Sequence, residues 1–415
     1  MPSKKSSHLC AQCKGSRRLC GRPRCPILER LQTQLALEKE IQGNDLFGAS
    51  PPSILVGEFN YPRIRIGPMI PPTIDDKLAQ LHDNPPEWYG RTIEEIIRLR
   101  SRLIRSNFSV NVKEASQRSC KLLELTQELA LSSNPVDTEI QFYKPPHLKL
   151  SFDGVIPPVG PTGNLKRLHL AENPMVPKKV DQIIYDGDVK AYVAINELFN
   201  AGISNYYITR LLTTGLLGQR KERRLVPTRW GITAVDSILG NSLLEKVKDN
   251  PEISEILLYS NSYLDNHYFI LYLPGSYAFE MIEIWLPRSV WVEDAKSYVT
   301  ENYELYDGKW KRELVDGGYK AMRMVVIEHL HKIRRQAMAF TIREVGPNYY
   351  VPLGVWNVRE GMKHAFDKNP VRFNDVDEAL RFIESKVKTS FKDWYGKAQL
   401  PKLYKFQKKI SQYIK

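Results

Sequence analysis

Residues 256–286 read Ile256-Leu-Leu-Tyr-Ser-Asn-Ser-Tyr-Leu-Asp-Asn-His-Tyr268-Phe-Ile-Leu-Tyr-Leu273-Pro-Gly-Ser-Tyr-Ala-Phe279-Glu-Met-Ile-Glu-Ile-Trp-Leu286. Apolar and aromatic residues come in three runs, at Ile256 and Leu258, Tyr268–Leu273 and Phe279–Leu286. Short polar turns such as Pro274-Gly275-Ser276 part them. Runs of this length, rich in branched and aromatic side chains and closed by turn residues, predict an antiparallel sheet over 254–286. Glu280 and Glu283 interrupt the third run, and Glu283 stands between Ile282 and Ile284. A carboxylate placed there either faces water or belongs to a site.

Downstream, 317–339 has helical periodicity and carries Glu328, His329 and His331. Glu328 and His329 adjoin but do not complete H-E-x-x-H, so no zinc-hydrolase reading follows. Upstream, Asp186 or Asp188 would cap a helix to about Asn200. Gly202 then turns the chain into a second helix over 204–214. This spacing resembles a helix-turn-helix. With only Asn205 and Arg210 to read bases, an ordinary helical hairpin is the alternative. Two more helices are expected over 91–105, with Ile93, Ile96, Ile97, Leu103 and Ile104 on one face, and over 112–131. Leu148, Leu150 and Phe152 alternate into the turn Asp153-Gly154, which reads as a strand. Residues 43–90, rich in Pro and Gly, read as strands and turns.

The predicted fold class is therefore α+β (mixed): an N-terminal four-Cys zinc module, a mixed α/β body with an antiparallel sheet, and a flexible C-terminal peptide. The expected divisions are 1–42 for the module and its following helix, 43–395 for the body with a sub-boundary near 240–250, and 396–415 for a basic tail.

Cys10, Cys13, Cys20 and Cys25 make C-x2-C and C-x4-C pairs six residues apart. Two such knuckles close a tetrahedron of thiolates, the preferred shell of structural Zn²⁺, with no open position for catalysis. An iron–sulfur cluster takes the same four ligands. Disulfides are disfavoured, because Met1–Ser7 carries no secretory pattern. So short a module has almost no apolar core, so metal binding, on the order of 10 kcal/mol, would fold it. Seven cations accompany the cysteines, among them Arg17, Arg18 and Arg22, with no acid before Glu29.

The whole chain holds 60 Lys and Arg against 47 Asp and Glu, a surplus of +13 that favours a polyanionic partner. No window nears the ~18 apolar residues of a membrane span. A soluble, intracellular protein is expected, cytoplasmic and nucleoid-associated.

Two body segments are suited to phosphate or nucleic acid. Pro157–Arg167 is a Gly/Pro-rich loop ending in Lys166 and Arg167; it lacks Walker spacing, and the alternative is a structural crossover. Arg220–Trp230 holds Arg223, Arg224, Arg229 and Trp230, cations beside a ring able to stack a base. The alternative there is a solvated loop entering the core.

The chain ends Gln407-Lys-Lys-Ile410-Ser-Gln-Tyr413-Ile414-Lys415, and Gly396–Lys415 has six lysines and no acid. In one helical turn Ile410, Tyr413 and Ile414 form an apolar plug beside Gln407. This resembles the peptide (PIP motif) by which DNA-processing proteins bind the polymerase sliding clamp. Ile414 departs from the usual aromatic, which bears on affinity.

These segments together resemble the archaeal Nre family of DNA repair proteins, of the NreA type, over nearly the whole chain. The resemblance is carried by Cys10-Ala-Gln-Cys13 with Leu19–Ile27, by Ser50-Pro-Pro-Ser53, and by Tyr61-Pro62, Gly160-Pro161, Leu165-Lys166 and Asn173-Pro174. Arg224-Leu-Val-Pro-Thr-Arg-Trp230 with Thr233–Asp236 and the terminal box complete it. It implies DNA damage repair and binding to the archaeal clamp, and leaves a catalytic mechanism open. An enzyme acting on nucleic acid or nucleotide is the alternative, with Asp153, His169, Arg229, Glu283 and Glu328 as candidate groups around the 153–167 loop. An RNA-binding zinc protein is the third.

Overall fold

The computed structural model describes residues 43–117, 119–147, 156–289, 292, 296–307 and 317–406, with scattered positions between 25 and 41. The described chain forms two compact units, one built on Pro26–Leu239 with Pro352–Val355, the other on Gly240–Val351 and Trp356–Lys415. Both mix helix and sheet, as expected of an α+β protein. Among the described residues no helix is long and apolar enough to cross a membrane.

The described residues of the first unit form six strands: β1 (Asp45–Ser50), β2 (Ile54–Val56), β3 (Arg63–Ile70), β4 (Ile104–Asn111), β5 (Val136–Phe142) and β6 (Thr162–Leu170). They lie in the order β1-β5-β6-β4-β3-β2, antiparallel except for β4 against β6. One apolar cluster joins Leu37, Leu46, Ile70, Ile104, Ile140, Phe142, Leu165 and Leu168.

The 91–105 segment divides. A capping box of Thr92 and Glu95 starts a helix that runs only over Ile93–Ser101. Ile104 opens β4, so Leu103–Arg105 leave the helix. The two-residue alternation of Ile104, Ser106, Phe108 and Val110 outweighs the helical spacing at the helix end. The 112–131 segment likewise splits into Glu114–Gln117 and Lys121–Leu131. The helical hairpin forms as Ala191–Asn200 and Asn205–Thr213, with Ser204 capping the second helix and Gly202 at φ 82 in the turn. Lys190 rather than Asp186 or Asp188 holds the first cap position. The expected strand over 148–152 falls outside the described residues.

In the second unit β7 (Ile256–Tyr263), β8 (Asn266–Leu273) and β9 (Ala278–Trp285) form where the opening runs place them. With β10 (Tyr298–Glu304), β11 (Met338–Val345) and β12 (Val371–Phe373) they make a sheet ordered β10-β9-β11-β8-β7-β12. β7 and β8 are a hairpin turning at Leu264 and Asp265, both at positive φ. β9 does not pair with β8. β11 lies between them, antiparallel to β8 and parallel to β9. One face of this sheet joins Leu271, Ile282, Ile284, Phe340 and Ile342 to the C-terminal helices through Leu380, Ile383, Trp394 and Ala398.

The segment read as a free tail from 396 stays in the fold through the Leu400–Phe406 helix, where Leu400 and Pro401 are buried. Residues 407–415 lie outside the described residues.

Candidate nucleic-acid interface

Strand alternation sorts β3 and β4 into an apolar and a polar face. Ile64 and Ile66 are buried, while Arg63 and Arg65 are exposed on the other side. Ile104 enters the apolar cluster, and Arg105, Asn107 and Ser109 point the opposite way. The register sets Arg65 opposite Ser109 and Met69 opposite Arg105. Arg65 donates from Nη1 to Oδ1 of Asn107 at 3.3 Å. Asn107, itself buried, donates from Nδ2 to the Gly163 carbonyl at 3.0 Å, which ties this face to β6.

Arg105 is the unusual member. Its Nε is buried, and no acceptor reaches it among the described residues. Burial, then repulsion from Arg65, lowers its pKa from 12.5 to about 10. It remains a cation at neutral pH, and no acid pairs with it among the described residues. A Cβ on Gly57 would stand 3.4 Å from Arg105 Nη2 and 3.2 Å from the Arg65 carbonyl oxygen, so the guanidinium lies directly beside that glycine.

The stretch 56–62 gathers the remaining groups. The Val56 amide donates to Oγ1 of Thr228 at 2.9 Å, which docks the start of the Thr228–Lys248 helix on the end of β2. Glu58 accepts from Trp230 Nε1 at 3.1 Å and faces Arg229 at 3.5 Å. Asn60 takes a left-handed backbone at φ 62. Phe59 beside it is 85% exposed, and Tyr61 is 48% exposed. Trp230, 47% exposed, meets the Tyr61 ring at a centroid distance of 5.3 Å. Three large aromatic surfaces therefore stand in water on or against the 56–62 stretch, which also meets Arg65, Arg105 and Arg229. That combination suits single-stranded nucleic acid, whose bases stack on rings while its phosphates meet cations.

The other sequence candidates fall as follows. Arg224 is exposed. Arg223 is turned inward and donates to the carbonyls of Gly218 at 2.9 Å and Ile184 at 2.8 Å, a structural duty that removes it from the interface. Arg210, the candidate base reader, is spent in the same way on Ala130 and Ser132. Lys166, Arg167 and His169 are exposed on β6, and His169 faces Glu139 at 3.7 Å. Glu283 is buried in the other unit, paired with Arg343 at 2.6 Å. Glu328 lies on the Gly317–Lys332 helix of that unit. Asp153, Cys10, Cys13, Cys20, Arg17, Arg18, Arg22, Gln407, Ile410, Tyr413 and Ile414 lie outside the described residues, while Cys25 is half-buried. The alternation along β4 was the signal that would have found Arg105.

Comparison with known proteins now decides the family. The model described as "Archaeal Nre, N-terminal" matches residues 19–292, and "Archaeal Nre, C-terminal" matches 304–413. The chain belongs to the archaeal Nre family. It is similar to the DNA repair protein NreA of Archaeoglobus fulgidus, 38% identical over 93% of this chain and 95% of that one. The DNA repair protein NreB of the same organism is 33% identical over 95% and 97%. NreA of Haloferax volcanii is 36% identical over 92% and 93%. No solved structure matches.

Proposed function

We propose that this Nre-family protein is a DNA repair factor that binds DNA through the aromatic and basic surface of its first unit. The exposure of Phe59, Tyr61 and Trp230 beside arginines carries this reading. Apolar rings held in water are costly to retain without a partner, and a base supplies one. The +13 net charge and the repair names of the relatives support it. On the same reading, Cys10, Cys13, Cys20 and Cys25 hold a structural zinc in a basic module that adds phosphate contacts. Gln407, Ile410, Tyr413 and Ile414 tether the protein to the sliding clamp, and tethering raises its local concentration on DNA. The support for both is the sequence spacing.

Fluorescence anisotropy on single-stranded oligonucleotides tests the surface. Trp230→Ala and Phe59→Ala are each expected to weaken binding by about 1–3 kcal/mol, the usual loss per stacked base. Unchanged affinity in the double variant would remove the surface from the proposal. Deleting 407–415 is expected to abolish clamp binding while sparing DNA affinity. A clamp titration that the deletion leaves unaltered refutes the tether.

A further inference from the structure

Among the described residues of the first unit, three other inward-turned arginines each find acceptors. Arg100 donates to the carbonyls of Pro158 and His82 and pairs with Asp83. Arg210 and Arg223 donate to the backbone carbonyls named above. Arg105 departs from this rule, with a buried Nε lacking an acceptor among the described residues and a second guanidinium, that of Arg65, close by. Asp83 serves Arg100, and Glu58 serves Arg229 and Trp230. Two neighbouring cations without a carboxylate partner among the described residues are expensive to keep, because the burial of Arg105 and the repulsion from Arg65 act together.

We infer that Arg105 and Arg65 form a seat for a phosphomonoester, the terminal phosphate of a DNA strand or of a nucleotide, entering past Gly57. The charge argues for a monoester: two guanidiniums carry two positive charges, and a monoester carries about −1.5 to −2 at neutral pH, whereas a backbone diester carries one. Guanidinium forks suit phosphate oxygens geometrically. Gly57 leaves the space over Arg105 Nη2 free of a side chain. Asn107 positions Arg65 from below. The Thr228–Lys248 helix starts against Val56, the residue before Gly57, through the Thr228 hydroxyl. The seat adjoins the aromatic surface, so the inference deepens the DNA-binding proposal and rests on it for the DNA source of the phosphate.

The test uses the full chain. Thermal melts are run with inorganic phosphate and with a nucleoside monophosphate. Anisotropy compares one oligonucleotide bearing a 5′-phosphate, a 3′-phosphate or hydroxyl ends. The expected results are a phosphate-dependent rise in Tm and at least a tenfold preference for one phosphorylated end. Arg105→Met removes both, with a larger loss of affinity for the phosphorylated strand than for the hydroxyl-ended one. Arg65→Ala, at an exposed position, weakens both without unfolding the protein. Without ligand, Arg105→Met is expected to raise Tm by about 2–4 °C, because an unpaired buried charge is removed. A fall in Tm in that variant overturns the inference by assigning Arg105 a structural role. So does equal affinity for all ends with no response to phosphate. If no oligonucleotide binds but phosphate still raises Tm through Arg105, the seat stands, the nucleotide source is favoured, and the DNA-binding proposal falls.

Discussion

Glu280 offers a quantitative test of the second unit. Its carboxylate is buried on the apolar face of β9, and accepts from the amides of Gln399 at 2.7 Å and Leu400 at 2.6 Å. It thereby holds the start of the Leu400–Phe406 helix, the last described element before the terminal peptide. Burial pushes its pKa up from 4.5 to about 7, against the opposing pull of the two amides and Lys402. The folded state therefore binds this proton more tightly than the unfolded chain does. Stability from the shift is fully present below pH 4.5 and is lost as pH rises through about 7. Integrated between pH 5 and 8, the loss is about 2.5 kcal/mol. Glu280→Gln cannot titrate, and its single carbonyl oxygen satisfies only one of the two amides, a pH-independent cost of about 1–3 kcal/mol. Urea unfolding of both proteins at half-unit steps from pH 5 to 8 isolates the effect, since His329 and every other group titrates alike in both. The stability of wild type minus variant is expected to fall by about 2.5 kcal/mol over that range. A flat difference, or one that rises with pH, would falsify the assignment of a raised pKa to Glu280.

Two further outcomes concern the first unit and the module. Glu58 is a half-exposed acid on Arg229 and Trp230, so Glu58→Gln should change stability by less than about 1 kcal/mol. It should also tighten DNA binding several-fold and steepen its salt dependence, measured by anisotropy across a KCl series; weaker binding would mean that Glu58 positions the two residues rather than masking them. Elemental analysis of the purified chain should find one zinc per molecule, lost in a Cys10→Ser, Cys13→Ser double variant; iron with acid-labile sulfide instead would assign a cluster.

The limits of sequence reading are physical and show at particular residues. The β7–β8 hairpin was legible because its register is set locally, by the turn at Leu264 and Asp265. The separation of β8 from β9 was not, because β11 arrives from far along the chain and parallel pairing leaves no turn signature. Glu283 within an apolar run looked like an anomaly. It is instead half of a buried pair whose other member, Arg343, sits on the neighbouring strand. The first unit shows the same limit at its site. A basic run predicts where cations are, not whether they face carbonyls or solvent, so Arg223 and Arg229 looked equivalent although only Arg229 stays at the surface.

A helix over 91–105 with Ile93, Ile96, Ile97, Leu103 and Ile104 on its apolar face would leave Arg105 off that face, where a cation has water and needs no partner. Strand pairing turns it under Gly57 beside Arg65, where Nε is shut off from water and no acid pairs with it among the described residues. Local pattern settles the identity of a strand and tertiary pairing settles the environment of each side chain. A buried charge without its counterpart thus becomes visible only when both are known. That mismatch between a residue's cost and its apparent use is the most direct pointer to a ligand in the described fold.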